Sequence, residues 1–306
     1  MKKLLCVLLG PTAVGKTACA LEIARYFDIP VVSADSRQIY RNMAIGTAAP
    51  DPDDIRGVRH FFIGTKDVTG HYSAGQFEID AIEVIEELFD TSDIALMTGG
   101  SMMYIDAVCN GMDAVPEADP ETRAHVAEIY AEEGLDKLRG MLKLLDPDFF
   151  AKVDLKNHKR VMHAIEVCLQ TGMPYSKIRT GKKKQRGFDI LKIGLQLPRE
   201  ELYERINIRT DKMIAAGLED EARKLYPMRE CNALNTVGYK EWFDFFDGNT
   251  ASREDVARLI KRNTRHYAKK QMTWFKRDTN IHWFAPGDTD KIIELINTEL
   301  WTRKQD

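Results

Sequence analysis

Leu4 to Thr17 reads LLCVLLGPTAVGKT: six apolar residues, then a loop that fits GxxxxGK followed by Ser or Thr at every fixed position. Six apolar residues in a row are too few to cross a membrane and suit a buried strand. The segment Ala18 to Tyr26 behind the loop carries the pattern of a helix. Between strand and helix, the glycines let the backbone wrap an anion, the amides and the helix N-terminus point at it, and Lys16 adds a positive charge. Thr17 is placed to put its hydroxyl on a magnesium ion. The expected phosphate cradle is therefore Gly10, Pro11, Thr12, Ala13, Val14, Gly15, Lys16 and Thr17. The motif alone does not say which phosphate it holds.

Reading outward, IPVVSAD forms a second strand whose end delivers Asp35, Ser36, Arg37 and Gln38 to the carboxyl edge, where ligands of open parallel sheets gather. Ile79, Ile82, Ile85, Leu88 and Phe89 recur at helical spacing, and IALM at Ile94 to Met97 reads as a strand closed by Thr98, Gly99, Gly100 and Ser101. Strands alternating with helices predict an α/β fold, a P-loop NTPase-like core with a doubly wound parallel sheet. From Asp113 the pattern changes to a Pro-bounded acidic linker, helical stretches around Arg123 to Leu145 and Lys159 to Leu169, and the polar run KIRTGKKKQRG. ILKIGLQL at Ile190 to Leu197 restores a strand. The expected division is thus a core of residues 1–112 and 190–306 around a helical insertion domain of residues 113–189. IALM runs into Thr98 and two glycines rather than a magnesium-holding Asp, which argues against a motor or GTPase.

The bulk composition narrows the class. A chain of 306 residues with 44% hydrophobic content supports a large buried interior, and a net charge of −3 means that any nucleic-acid surface must be local. Five cysteines, Cys6, Cys19, Cys109, Cys168 and Cys231, include no CxxC pair; reduced thiols in a cytoplasm are expected, without disulfide or zinc. MKKLLCVLL has the composition of a short secretory leader, but the phosphate loop would lie inside it, so that reading is set aside.

Arg253 to Arg277 holds nine Lys or Arg against two acids, Glu254 and Asp255. On a helix, Arg258, Arg262, Arg265, Lys269 and Lys276 share one face, while Val256, Ile260, Tyr267 and Trp274 lie opposite, predicting a cationic side and a core side. Lys177, Arg179, Lys182, Lys183, Lys184 and Arg186 form a second cluster, which reads equally as a solvated loop. Two basic surfaces beside a phosphate loop suit a ligand with a phosphodiester backbone.

Taken in order, GPTAVGKT at Gly10, SADSRQIYRNMAIGTAAP at Ser33, TGGSMMY at Thr98, HKRVMHAIEV at His158, GLEDEARKL at Gly217, TVGYKE at Thr236 and TRHYAKKQMTWFK at Thr264 resemble the tRNA dimethylallyltransferases. These enzymes move a five-carbon prenyl group from dimethylallyl diphosphate to an adenine beside the anticodon. The resemblance implies that the loop holds the diphosphate of a prenyl donor with Mg2+ on Thr17, and that the insertion meets the anticodon stem-loop of tRNA. It carries tRNA contact onto Asp35, Ser36, Arg37, Gln38, Ser101 and Arg123, and onto Lys159, Arg160, Val161, Met162 and His163. Arg262 and Arg265 join them from the basic helix. A monomeric cytoplasmic enzyme with no membrane partner is expected. Two departures stand out: Ser101 replaces the usual Thr and keeps the hydroxyl, and His163 stands where an arginine is common.

The chemistry suits these residues. An adenine N6 amine is a poor nucleophile, so a carboxylate must take its proton as the N–C bond forms, and Asp35 is the candidate base. Its alternative is a metal-linked or helix-capping aspartate. The loop amides, Lys16 and a Thr17-bound magnesium would stabilise the leaving diphosphate, while Ser101 would hold the target amine or merely cap the next helix. Arg123 would touch tRNA or pair with an acid on its own helix. Because the adenine is stacked in a loop, it must be drawn into a pocket, which predicts a tunnel lined by Lys16, Thr17, Asp35 and Ser101. The rival classes are a small-molecule kinase, which leaves the basic helix unexplained, an adenine-nucleotide prenyltransferase, which needs no insertion, and a pure RNA-binding module, which leaves the loop unexplained.

Overall fold

The computed structural model describes residues 3–51, 53, 55 and 57–303. In chain order it runs β1 Leu4–Leu9, α1 Lys16–Phe27, β2 Val31–Ala34, α2 Ala44–Thr47, β3 His60–Phe61, α3 Ala74–Thr91, β4 Ile94–Gly99 and α4 Met102–Asn110. There follow α5 Pro120–Leu145, α6 Pro147–Phe150, α7 His158–Thr171 and α8 Tyr175–Ile178. The chain then returns through β5 Asp189–Leu195, α9 Arg199–Ala215, α10 Leu218–Leu225, α11 Lys240–Phe246, α12 Arg253–Phe275, β6 His282–Phe284 and α13 Thr289–Thr302.

The strands form one parallel sheet in the order β3-β2-β4-β1-β5-β6. Strand alternation sends Leu5, Val7 and Leu9 to one face and Leu4, Cys6 and Leu8 to the other, and all six are buried because helices cover both sides. On the first face pack Phe77 and Ile85 of α3, Val108 of α4, Leu218 of α10 and Trp242 of α11; on the second pack Ile23 of α1, Ile206 of α9, and Ile292 and Ile296 of α13. Each fully buried Val, Leu, Ile or Phe side chain among these stabilises the fold by about 1.5–3 kcal/mol. The parallel α/β core expected from the sequence is the observed one.

Register decides where the chemistry sits. Leu9 pairs with Gly99 and Gly99 with Ala34, so Gly10, Gly100 and Asp35 leave the sheet side by side at its carboxyl edge. β4 therefore runs two residues beyond IALM. Gly99 must be glycine, because a Cβ there would meet the Ala34 carbonyl oxygen at 2.2 Å. The two short strands β3 and β6 were not read from the sequence, since two or three residues carry no periodicity of their own.

The chain divides into two compact units, the core ending at Cys109 and resuming at Arg186 and the second spanning Asn110–Gln185. The core ends three residues before, and resumes four residues before, the boundaries expected from the sequence, and at the return Arg186 is a core clamp. Its guanidinium donates to the carbonyls of Val108 at 2.8 Å and Ala107 at 2.7 Å and pairs with Glu78 at 2.9 Å. Arg186 thus leaves the solvent-facing basic cluster to which the sequence assigned it.

The second unit is built on α5 packed along α7. Asp119 caps α5, accepting the Thr122 N–H at 2.7 Å, and Pro120 fits the first helical turn. Gly134, at φ 76, breaks α5 into two segments. Asn157 caps α7 through the Arg160 N–H, and its inward stripe Val161, Ala164, Ile165 and Cys168 meets Val126, Leu138 and Leu142.

Candidate active site

β1 ends in a loop whose fit to an anion lies in its bare amides. Gly15, at φ 113, opens α1 and no side chain caps that N-terminus, so the first-turn N–H groups point outward unclaimed by any cap. Lys16 turns back over the loop, donating to the carbonyls of Gly10 at 3.0 Å and Pro11 at 2.8 Å. The structure narrows the donor set, since the Thr12 amide is already committed to Gln271 Oε1 at 2.9 Å and Pro11 has no N–H. The Thr12 hydroxyl accepts a 2.6 Å bond from Arg209 on α9.

Asp35 follows β2 directly. Its Oδ1 accepts the amides of Arg37 at 2.9 Å and Gln38 at 3.3 Å, so this oxygen shapes the turn. The carboxylate lies close enough to Lys16, Arg209 and Tyr267 for its charge to raise the pKa of each. Burial dominates at Lys16 and pulls its ammonium down to about 8, the Asp35 charge opposing this and Arg209 adding to it. Arg209 is likewise lowered by burial and supported by Asp35. At Tyr267 burial and Asp35 together push the phenol up to about 12. A carboxylate and two cations at the mouth of an anion loop form a charge pattern suited to a substrate that changes charge.

Ser101 is buried immediately before α4. The Ser101 hydroxyl accepts the Ser36 N–H at 2.7 Å and lies 3.0 Å from the Ser36 hydroxyl, with Tyr267 nearby. Lys16, Asp35, Ser36 and Ser101 are thus brought together. Arg37 and Gln38 are partly spent on the scaffold: Arg37 donates to the Asn232 and Ala233 carbonyls at 3.0 and 3.1 Å, and Gln38 Nε2 to Thr47 and Ala48 at 3.2 and 3.1 Å. The Ala44–Thr47 turn beside them hangs on Glu221, which accepts the amides of Ile45 and Gly46 at 2.9 and 2.8 Å and the Tyr239 hydroxyl at 2.6 Å.

Four residues around this site escaped the sequence reading. Tyr267 was placed on the core side of the basic helix; at that turn, however, it lies near Asp35 and Ser101, and the residue keeps 36% of its surface exposed. Trp274 is also only half-buried and donates to Asp106 at 2.9 Å. Arg209 sits in a helix that reads as an ordinary polar one. Gln271 gave the one visible signal, an amide at a position where Val256, Ile260, Ala268 and Phe275 lead one to expect an apolar residue.

The basic helix itself is cationic but partly self-compensated. Arg258 pairs with Asp255 at 2.8 Å, Lys261 with Asp211 at 2.6 Å, and Arg265 donates to Asn207 at 2.7 Å while lying over the Tyr203 ring. Arg262, Lys269 and Lys276 are exposed.

In the helical unit, Lys159, Arg160 and His163 are exposed on one side of α7. Val161 is not available to a ligand: it is 0% exposed and part of the α5–α7 core, which corrects its place among the tRNA contacts. Met162 is half-buried against the same core. His163 lies 3.8 Å from Glu166 and edge-on to Tyr175, and Arg123 lies 3.8 Å from Glu117, an acid upstream of its helix.

The IPP transferase family model matches residues 38–278. This chain belongs to the IPP transferase family. The chain is 52% identical over 291 residues to tRNA dimethylallyltransferase 2 of Porphyromonas gingivalis, covering 95% of this chain and 97% of that protein. It is 50% identical over 298 residues to tRNA dimethylallyltransferase 1 of Bacteroides fragilis, covering 97% and 99%. Among solved structures, the full-length tRNA isopentenylpyrophosphate transferase of Bacillus halodurans superposes with a TM-score of 0.73 at 33% identity, covering 100% of this chain and 99% of that one. The IPP transferase match begins at Gln38, behind the phosphate loop and Asp35, so the loop geometry and the family model are independent observations.

Proposed function

We propose that this chain transfers a dimethylallyl group from dimethylallyl diphosphate to N6 of the adenine on the 3′ side of the anticodon in tRNA, releasing diphosphate. It is a prenyltransferase that acts on tRNA. The reading rests on one observation above the others: the Asp35 carboxylate lies within electrostatic reach of Lys16 and Arg209 at the phosphate loop, and the Ser101 hydroxyl accepts the amide of the next residue, Ser36. In the reaction the allylic C1–O bond breaks as the N6–C1 bond forms. The electron pair of the broken bond leaves with the diphosphate, and the N6 proton passes to Asp35 Oδ2, Oδ1 being held by the turn. Lys16, Arg209 and the first-turn amides of α1 stabilise the charge that grows on the leaving oxygen. Ser101 and Tyr267 meet the amine from the other side. Adenine and donor then approach each other through one tunnel lined by Lys16, Thr17, Asp35 and Ser101.

The residues fit a magnesium ion that arrives with its diphosphate. Thr17 offers an exposed hydroxyl at the helix start, and among the described residues no group of three or more His, Cys, Asp or Glu could cage a metal. Magnesium keeps water and phosphate oxygens as most of its ligands, so one hydroxyl suffices, and when bound it would neutralise diphosphate charge.

The helical unit is assigned to the anticodon stem-loop through Arg123, Lys159, Arg160 and His163, and α12 adds Arg262 and Arg265, the latter with its remaining donors. A monomer is part of this reading. Among the described residues no helix is long and apolar enough to cross a membrane, and a cytoplasmic location suits the substrate.

The test mixes protein, magnesium and unmodified tRNA with either dimethylallyl diphosphate or ATP, then digests the tRNA and weighs the nucleosides. Prenylated adenosine is expected with the first donor alone; none with it would refute the reading. For the cationic face, Arg262→Glu combined with Lys269→Glu is expected to weaken tRNA binding. The slope of log K against log salt should flatten by roughly 1.5 if each residue neutralises one phosphate. Salt titrations of tRNA affinity measure this, and an unchanged slope would return the face to solvent.

A further inference from the structure

Beyond Leu9 and Gly99 the two strands that carry the donor loop and the Ser101 loop no longer pair. Gln271 bridges the gap. Its side chain is 1% exposed; Oε1 accepts the Thr12 N–H at 2.9 Å, and Nε2 donates to the Gly100 carbonyl at 2.7 Å. The fit is tight: a Cβ on Gly100 would lie 2.4 Å from Nε2, so only glycine admits the amide. Thr12 is held from the opposite side by Arg209 at 2.6 Å. Gly100 leads into Ser101, whose amide bonds the Ala34 carbonyl at 3.3 Å and whose hydroxyl accepts the Ser36 N–H. One hydrogen-bonded path thus runs from Thr12 through Gln271, Gly100 and Ser101 to the residues flanking Asp35.

We propose that Gln271 is a positioning residue that sets the spacing between the diphosphate cradle and the hydroxyl that handles the acceptor amine; this rests on the prenyl-transfer reading above. A carboxamide is the group that one amide N–H and one carbonyl require, since it presents an acceptor and a donor side by side. Tyr267, one turn earlier on α12, lies near Ser101, so a single turn of this helix adjoins both sides of the reaction. Gln271 touches neither substrate in this assignment. Its removal lets the loops drift apart, and a drift of an ångström at the reacting atoms costs about 100-fold in rate.

Two variants separate positioning from packing. Gln271→Met keeps the volume and loses both bonds, so kcat with saturating dimethylallyl diphosphate and unmodified tRNA is expected to fall about 100-fold, while pyrophosphate and tRNA dissociation constants stay within about threefold. Gln271→Glu carries the signature that packing cannot imitate. Protonated, the carboxyl both accepts from Thr12 and donates to Gly100; ionised, it turns a second acceptor toward the Gly100 oxygen. Its activity relative to wild type is therefore expected to climb as pH falls, whereas the Gln271→Met ratio stays flat. Methionine variant kcat within about threefold of wild type, or a loss confined to weaker substrate binding, would overturn the proposal. So would a glutamate ratio that does not rise in acid, which remains readable if the methionine variant fails to fold. A wild-type enzyme that prenylates no tRNA overturns the reaction reading and the bracket with it; an active wild type with indifferent variants overturns the bracket alone.

Discussion

Asp35→Asn is expected to lower the rate of prenyl transfer by roughly 10²–10⁴-fold, the range that a positioned general base contributes. Asparagine is the sharper variant. Asp35 Oδ1 accepts the Arg37 and Gln38 amides, so an alanine removes the turn as well as the base, whereas the asparagine oxygen keeps both bonds and loses only the capacity to take a proton. The cations beside it also lose a counter-charge, which further lowers Lys16 and Arg209, because Asp35 is the group that raises both. Single-turnover rates with saturating substrates measure the loss. Filter binding of unmodified tRNA should change by no more than about threefold if the residue acts on the transition state rather than on affinity. A turnover close to wild type in Asp35→Asn would remove Asp35 as the base and leave it as a turn-forming aspartate.

How much of this was legible follows from how the signals are laid along the chain. The strand, the loop and the following helix were readable because every fixed position lies within one contiguous stretch, Leu4 to Thr17. Asp35 was readable because it stands immediately after a strand in a sheet whose carboxyl edge collects ligands; Ser101, beyond Gly100 at the end of β4, came from the family resemblance, and the register Leu9–Gly99–Ala34 brings the two strand ends together there. Arg209 was not, since nothing local distinguishes it on a polar helix; only the fold turns it toward Thr12. Tyr267 was assigned to the right side of its helix and the wrong surroundings, because periodicity gives a direction and not what lies along it. The same limit explains Val161: a motif marks a stretch of helix, but one residue in three or four of that stretch must face the core. Arg186 shows the converse, a cation within a basic run that the core claims through two carbonyls and Glu78.

The second large effect belongs to Lys16. Its ammonium has two protons on the Gly10 and Pro11 carbonyls and one left for a ligand, and it is the loop's only side-chain cation. Removing it leaves Arg209 and the backbone amides to stabilise the departing diphosphate. Lys16→Ala is therefore expected to lower kcat/KM for dimethylallyl diphosphate by about 10²–10³, comparable to the loss of one preorganised donor to a developing anion. The pH dependence gives a second, independent readout. With its pKa pulled down to about 8 by burial, Lys16 carries its charge below that pH and loses it above, so wild-type kcat/KM for the donor should decline through an alkaline limb near that value. Bound diphosphate favours the charged form, so the limb should move upward in kcat, which reports the complex. In Lys16→Ala the limb should vanish, leaving a profile governed by the groups that remain. Initial-rate measurements across the alkaline range, taken on both proteins with the same tRNA, decide it: a limb that persists unchanged in the alanine variant would assign the titration to another group and detach the lysine from the leaving diphosphate.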